Sequence, residues 1–147
     1  MQGIFEQRHN KAAPMKRVYI CHPYRNDPDE NLRKVEEIVV RIGVSSARGM
    51  LCDSGKEEEE PITLASLLSG SGGFSNLVTP VSPMLAFPKN MSETGDNPIT
   101  EDQGMSFCFS LLRSCDEIWI FSREISDGMA QEITAASEWG IKVVWMV

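Results

Sequence analysis

The chain is short of positive charge, has no paired cysteine motif and lacks any long apolar run, and each shortage removes a class of function. Fourteen Lys and Arg stand against 21 Asp and Glu, a formal net charge of −7. A field of that sign repels phosphate backbones, so a DNA or RNA polymer is not an expected partner, although a small nucleotide in a local pocket is compatible with it. The cysteines are Cys21, Cys52, Cys108 and Cys115, with no C-x-x-C pair among them, and the chain has only two His. No cluster has metal-ligand spacing, so neither a metal nor another cofactor is expected. Thiols used in this way suit a reduced, cytoplasmic protein. No run approaches the ~18 apolar residues of a membrane span. Glu6, Gln7, Arg8, His9, Asn10 and Lys11 interrupt the apolar core that a secretory signal would need.

What is present is the material of one small domain: 147 residues, 41% hydrophobic and 24% charged. Residues 1–14 read as a flexible arm, with Met15 opening a domain that runs to Val147. Arg17-Val18-Tyr19-Ile20-Cys21 is short and apolar, is closed by His22-Pro23, and reads as a buried strand. Asp27-Pro28-Asp29 supplies helix-start chemistry. Leu32, Val35, Ile38, Val39 and Ile42 follow at helical spacing, with Arg33, Lys34, Glu37 and Arg41 turned outward. From about 44 to 76 the pattern degrades into an expected insertion, partly mobile, in which Ile62 to Leu68 is long enough for two helical turns.

The rest alternates. Leu77 to Pro83 reads as a second strand, followed by a loop to about Pro98. Thr100 to Ser114 reads as a helix, with Thr100 and Gln103 forming a capping box. Glu117 to Phe121 is a third strand. A third helix begins at Ser126-Asp127-Gly128 and stops at Gly140, and Ile141 to Val147 is a fourth strand. This order predicts an α/β fold: a single Rossmann-like (flavodoxin-like) three-layer domain with a mostly parallel sheet of four to five strands. Ligands of such sheets bind outside the carboxyl ends of the strands. Here those ends carry His22 to Asn26, Ser82-Pro83 and Ser122 to Gly128.

One residue resists a purely structural reading. On a helical wheel Glu132 falls between Ala135, Ala136 and Trp139, inside the apolar arc of the third helix. Burial disfavours an ionised carboxylate, and perturbed carboxyls beside clefts are candidate functional groups. The alternatives are that Glu132 reaches water at the arc's edge, or pairs with Arg25 or Arg123. Its side chain leans toward the helix N-terminus, and so toward the crevice. That helix start offers free N–H groups to an anion, with Gly128 permitting close approach. Asp127 is either a cap or first-turn acid, or a partner for a ribose hydroxyl. Tyr24 can hydrogen-bond a neighbouring carboxylate, and Arg25 can bind phosphate or stay a surface residue. His22 is an acid or base, or a packed residue before proline. Ser82 has no His–Asp pattern near it, which removes the serine-hydrolase reading.

Val18-Tyr19-Ile20-Cys21-His22-Pro23-Tyr24 resembles the opening strand and loop of the nucleoside 2-deoxyribosyltransferase superfamily. Cys115-Asp116-Glu117-Ile118-Trp119-Ile120-Phe121 and Ser126-Asp127-Gly128-Met129-Ala130-Gln131-Glu132-Ile133 are similar to its third-strand and nucleophile-helix block. The resemblance covers roughly 15–42 and 78–147, and Arg25 with Ser126 is nearer to the nucleotide N-glycosidase branch. It implies cleavage or exchange of the N-glycosidic bond of a (deoxy)nucleoside or its 5′-monophosphate. Glu132 would be the nucleophile and Tyr24 its orienting partner, while Arg25, Ser126, Asp127, Gly128, His22 and Ser82 would bind substrate. It also implies a homodimer or larger homo-oligomer. The alternative is a non-catalytic nucleotide-binding module of the same fold.

Overall fold

The computed structural model describes residues 15–51, 63–69, 78–87 and 99–147. The expected arm at 1–14 and most of the expected insertion lie outside the described residues. The elements, in chain order, are β1 (Lys16–Cys21), α1 (Pro28–Leu51), α2 (Leu64–Ser69), β2 (Val78–Val81), α3 (Pro83–Ala86), α4 (Glu101–Arg113), β3 (Glu117–Ile120), α5 (Asp127–Glu138) and β4 (Lys142–Trp145). The four strands form one parallel sheet in the order β2-β1-β3-β4, an α/β architecture with helices on both faces.

The period of two along β1 builds both halves of the core. Val18 and Ile20 face Val35, Ile38 and Ile42 of α1 and Leu67 of α2. Tyr19 and Cys21 face the other way, into a cluster with Leu112 of α4 and Met129, Ala135 and Ala136 of α5. Cover on both sides explains why β1 reads as an unbroken apolar run rather than an alternating one. The chain leaves β1 toward β2 on one flank and later returns to β3 on the other. The strand order therefore reverses between β1 and β3, where doubly wound sheets open a crevice at their carboxyl ends.

Two helical stretches differ from the sequence expectation. α1 continues past Ile42 to Leu51 because its buried stripe continues in small polar residues. Ser45 and Ser46 are both buried, and Ser46 Oγ accepts a hydrogen bond of 2.8 Å from Val78 N at the start of β2. Pro83, expected to close the second strand, and Met84–Ala86, expected as loop, form a helical turn closed by bonds from Ala86 N to Ser82 O and from Phe87 N to Pro83 O. The short α2 anchors to the sheet through Leu64 N, which donates to Met146 O at 2.9 Å.

The later helices begin and end as their sequence signals predict. Thr100 and Gln103 form a reciprocal capping box on α4. Ser126 caps α5 by accepting from Met129 N, and Gly140, at φ 71°, takes the left-handed turn that releases the chain into β4.

Candidate active site

Glu132 lies in the second turn of α5, and α5 begins at the carboxyl end of β3. Its residue is 9% exposed, so the carboxylate is among the few buried charged groups of the described structure. Three side chains from two other elements surround it. Tyr19 and Cys21 come up from β1, two residues apart on one strand face, and Cys108 comes from α4. Burial pushes the Glu132 carboxyl up to about 7, while the Cys21 thiol and the Tyr19 hydroxyl beside it act in the opposite direction. The same burial, reinforced by the Glu132 charge, pushes Tyr19 far above its usual range and Cys108 up to about 11. Cys21 is raised too, by burial first and Glu132 second.

The other buried carboxylate, Glu117 at the start of β3, shows what ordinary satisfaction looks like. Lys16 Nζ lies 2.7 Å from it, and Trp119 Nε1 donates to it at 3.3 Å. No described lysine, arginine or histidine does the same for Glu132. Tyr19 Oη, fully buried, is adjacent to the carboxylate and to Cys108 Sγ, yet among the described residues no atom meets it with hydrogen-bond geometry. A buried hydroxyl without a partner is costly in a purely structural role. Here it lies beside the Glu132 carboxylate, near the carboxyl end of β1.

The expected site residues separate into those that this arrangement includes and those that it does not. Glu132 occupies the buried position that the wheel gave it. Tyr24, expected as its orienting partner, lies beyond the end of β1. Its carbonyl accepts from Asn31 Nδ2 at 3.2 Å, and no described contact joins its side chain to Glu132. The tyrosine beside the carboxylate is Tyr19, within the strand. Sequence reading took Tyr19 and Cys21 for core because the strand was a short apolar run. The missed signal was a phenol and a thiol on one face of a buried strand, each carrying a polar atom that needs a partner.

The remaining candidates lie at or beyond the carboxyl ends of the strands. Arg25 pairs with Glu101 at the start of α4, at 3.3 Å, rather than with Glu132. The Ser126 hydroxyl is engaged as the α5 cap. Asp127 is an exposed first-turn acid. A Cβ on Gly128 would meet only Met105 Sδ, at 3.7 Å, so the surrounding protein does not require glycine there. His22 is half-buried at the end of β1, its Nδ1 2.8 Å from Pro23 O, and burial lowers its pKa. Ser82 is buried at the end of β2, and its hydroxyl has no partner. A separate groove lined by Phe109, Thr134, Ala135 and Trp139 runs along the outer face of α4 and α5 and does not include Glu132. Among the described residues, no group of three or more His, Cys, Asp and Glu is placed to hold a metal ion, and no helix is long and apolar enough to cross a membrane.

No curated protein matches the chain. Among solved structures, it is similar to the 2-desoxiribosyltransferase from Leishmania mexicana, at 18% identity and a TM-score of 0.48. That match covers 88% of this chain and 63% of the other, so the chain spans less than two thirds of that enzyme's length. A family model described as a domain of unknown function, DUF7768, matches residues 71–146. That segment is more than half of the sequence, and the chain belongs to the DUF7768 family.

Proposed function

We propose that this protein cleaves or exchanges the N-glycosidic bond of a (deoxy)nucleoside, with Glu132 as nucleophile. The observation that carries the reading is a buried carboxylate with no cation among the described residues, flanked by a tyrosine hydroxyl without a partner among them, near the strand-order reversal of a parallel sheet. The sequence resemblance to the deoxyribosyltransferases supports the same assignment for Glu132. A Glu132 oxygen forms a bond to the anomeric carbon as the C–N bond breaks. The electron pair leaves on the base, which takes up a proton from solvent. Water or a second base then attacks the anomeric carbon and releases the carboxylate, as in other two-step displacements. Tyr19 replaces Tyr24 in this reading as the group that steadies the carboxylate. A homo-oligomer belongs to it too, and Trp145 on the edge strand β4, 53% exposed, offers apolar surface for pairing.

A panel of ribo- and deoxyribonucleosides and their 5′-monophosphates, scored for free base by chromatography, tests the reading. Wild-type protein should release base from at least one member, and Glu132→Gln should not, because the amide keeps the shape and removes the nucleophile. Wild-type-like turnover by the variant would sink it. One observation favours a second reading, a non-catalytic nucleotide-binding module: among the described residues, no group facing Glu132 is a second carboxylic acid that could protonate a leaving base. Calorimetric binding of a nucleoside with no base released would select that alternative.

A further inference from the structure

We propose that the outer face of α4 and α5 binds a second copy of this chain, with the two helix pairs packed antiparallel across a two-fold axis. The inference rests on the homo-oligomer part of the proposed function and deepens it. It uses a different face from the β4 edge that carries Trp145.

The groove between the two helices is where the contact forms. Phe109 of α4 and Ala130, Thr134, Ala135 and Trp139 of α5 line it. Its aromatic wall is fixed, because the Phe109 and Trp139 rings meet edge to face, 5.9 Å apart and at 81°. The Arg113 guanidinium lies over the Trp139 ring, 4.5 Å from its centroid. The polar lining residues Gln131, Thr134 and Glu138 are all exposed, so no buried polar group converges there on a small ligand. The hydroxyls of this face are already bonded within their own helices. Ser106 Oγ donates to Asp102 O at 2.9 Å, and Thr134 Oγ1 donates to Ala130 O at 2.8 Å. Covering them with protein therefore strands no donor.

Charge decides what covers the groove and in which sense. α4 and α5 run side by side in the same direction, each following one parallel strand and preceding the next. On α4, Asp102, Ser106, Phe109 and Arg113 recur at helical spacing and form one stripe. Its acid lies at the N-terminal end and its base at the C-terminal end, roughly 16 Å away along the helix. Asp127 adds an exposed acid to the N-terminal end, on α5. Among the described residues, neither Asp102 nor Arg113 has an ion-pair partner. A parallel pairing of two copies would set Asp102 and Asp127 of one on the same acids of the other. An antiparallel pairing brings each Arg113 to the partner's Asp102, and symmetry makes the contact twice. One charge opposes it, since Glu138 lies at the C-terminal end of α5 and faces the partner's Asp127. The product is a four-helix bundle across the axis. In it α5 turns Glu132 inward and Thr134, two residues on, to the partner.

Sedimentation equilibrium of the full chain, from about 1 to about 100 µM, tests the interface. Wild type should be a dimer at the upper end of that range. Thr134→Arg and Ala130→Arg are substitutions at exposed sites, and each should give a monomer whose circular dichroism matches wild type. Arg113→Glu should weaken the dimer about tenfold through its two ion pairs, and adding Asp102→Arg should return it to within about twofold of wild type. Glu138→Gln should tighten it, and Trp145→Lys should leave it unchanged. A dimer that survives both α5 arginine variants overturns the interface and leaves the oligomer reading standing. So does a dimer lost through Trp145→Lys, weakened by Glu138→Gln, or left unrepaired by Asp102→Arg. A monomeric wild type across the whole range overturns both, while base release from the nucleoside panel judges the glycosyl-transfer reading separately.

Discussion

Glu117 on β3 and Glu132 on α5 are carboxylates buried to a similar degree, and their surroundings fit them for different tasks. Glu117 has Lys16 and the Trp119 indole, the arrangement expected of a structural charge. Glu132 has a phenol and two thiols, all neutral. A carboxyl that ordinarily titrates near 4.5 and here titrates near 7 holds its proton in the folded state after the unfolded chain has lost it. Between those values the native state binds more protons than the unfolded one, so stability is complete below about pH 4.5 and falls as pH rises through 7. The total loss is on the order of 3 kcal/mol. Urea unfolding from pH 4.5 to 8.5 should show that decline in the wild type and a flatter curve in Glu132→Gln. A wild-type curve as flat as the variant's would place the carboxylate in water. The two tyrosines divide the same way. Tyr19→Phe should lower turnover about ten- to a hundredfold while leaving stability unchanged or raised by less than about 1 kcal/mol, because the lost hydroxyl has no partner among the described residues. Tyr24→Phe should stay within about twofold of wild type in base release.

At the scale of elements, the sequence was most legible where a local rule has one physical cause. The capping box of α4, the Ser126 start of α5 and the Gly140 stop each satisfy orphan backbone groups in a way that only a few residue types can. The Glu132 wheel position followed from the same regular geometry. Legibility failed where tertiary contacts gave polar residues an apolar residue's place. Ser45 and Ser46 read as lying past the helix, in the insertion, because nothing local shows that Ser46 Oγ will meet Val78 N across the core. Strand order was likewise invisible, and with it the fact that Tyr19 and Cys21 share a pocket with α4 and α5. The tyrosine beside Glu132 is the one within the strand, whereas the sequence pointed to the one in the loop after β1. The serine contact is itself testable. Ser46→Ala strands a buried backbone N–H and should destabilise the fold by about 1–3 kcal/mol, read as a lower urea midpoint at constant slope. Ser46→Thr, which keeps the hydroxyl, should recover most of the loss, and equal losses in both variants would assign the effect to packing.

On the scale of the whole molecule, the topology gathers charge at one end of the sheet. Each helix that follows a parallel strand begins at the carboxyl edge, so the N-termini of α1, α4 and α5 all border the end where Glu132 lies. Such N-termini ordinarily attract anions. Here each carries its own acids in the first turn: Asp29 and Glu30 on α1, Glu101 and Asp102 on α4, and Asp127 on α5. Two of the arginines near them are engaged, Arg33 with Glu30 and Glu37, and Arg25 with Glu101. With a net charge of −7 behind it, this rim repels a phosphate dianion and leaves the neutral ribose hydroxyls of a nucleoside unaffected. Of the two substrate classes that the sequence left open, the rim favours the nucleoside. At low ionic strength a nucleoside should therefore exceed its own 5′-monophosphate in kcat/KM by about tenfold, equivalent to about 1.4 kcal/mol of repulsion. Raising the salt to about 0.5 M should narrow the gap, since the rim charges are exposed and their field is screened within a few ångströms. Glu101→Gln should narrow it too, by releasing Arg25 from its partner. A monophosphate that outperforms the nucleoside at low salt would mean that Arg25 leaves Glu101 for the phosphate on binding, and Arg25→Ala would then erase that preference.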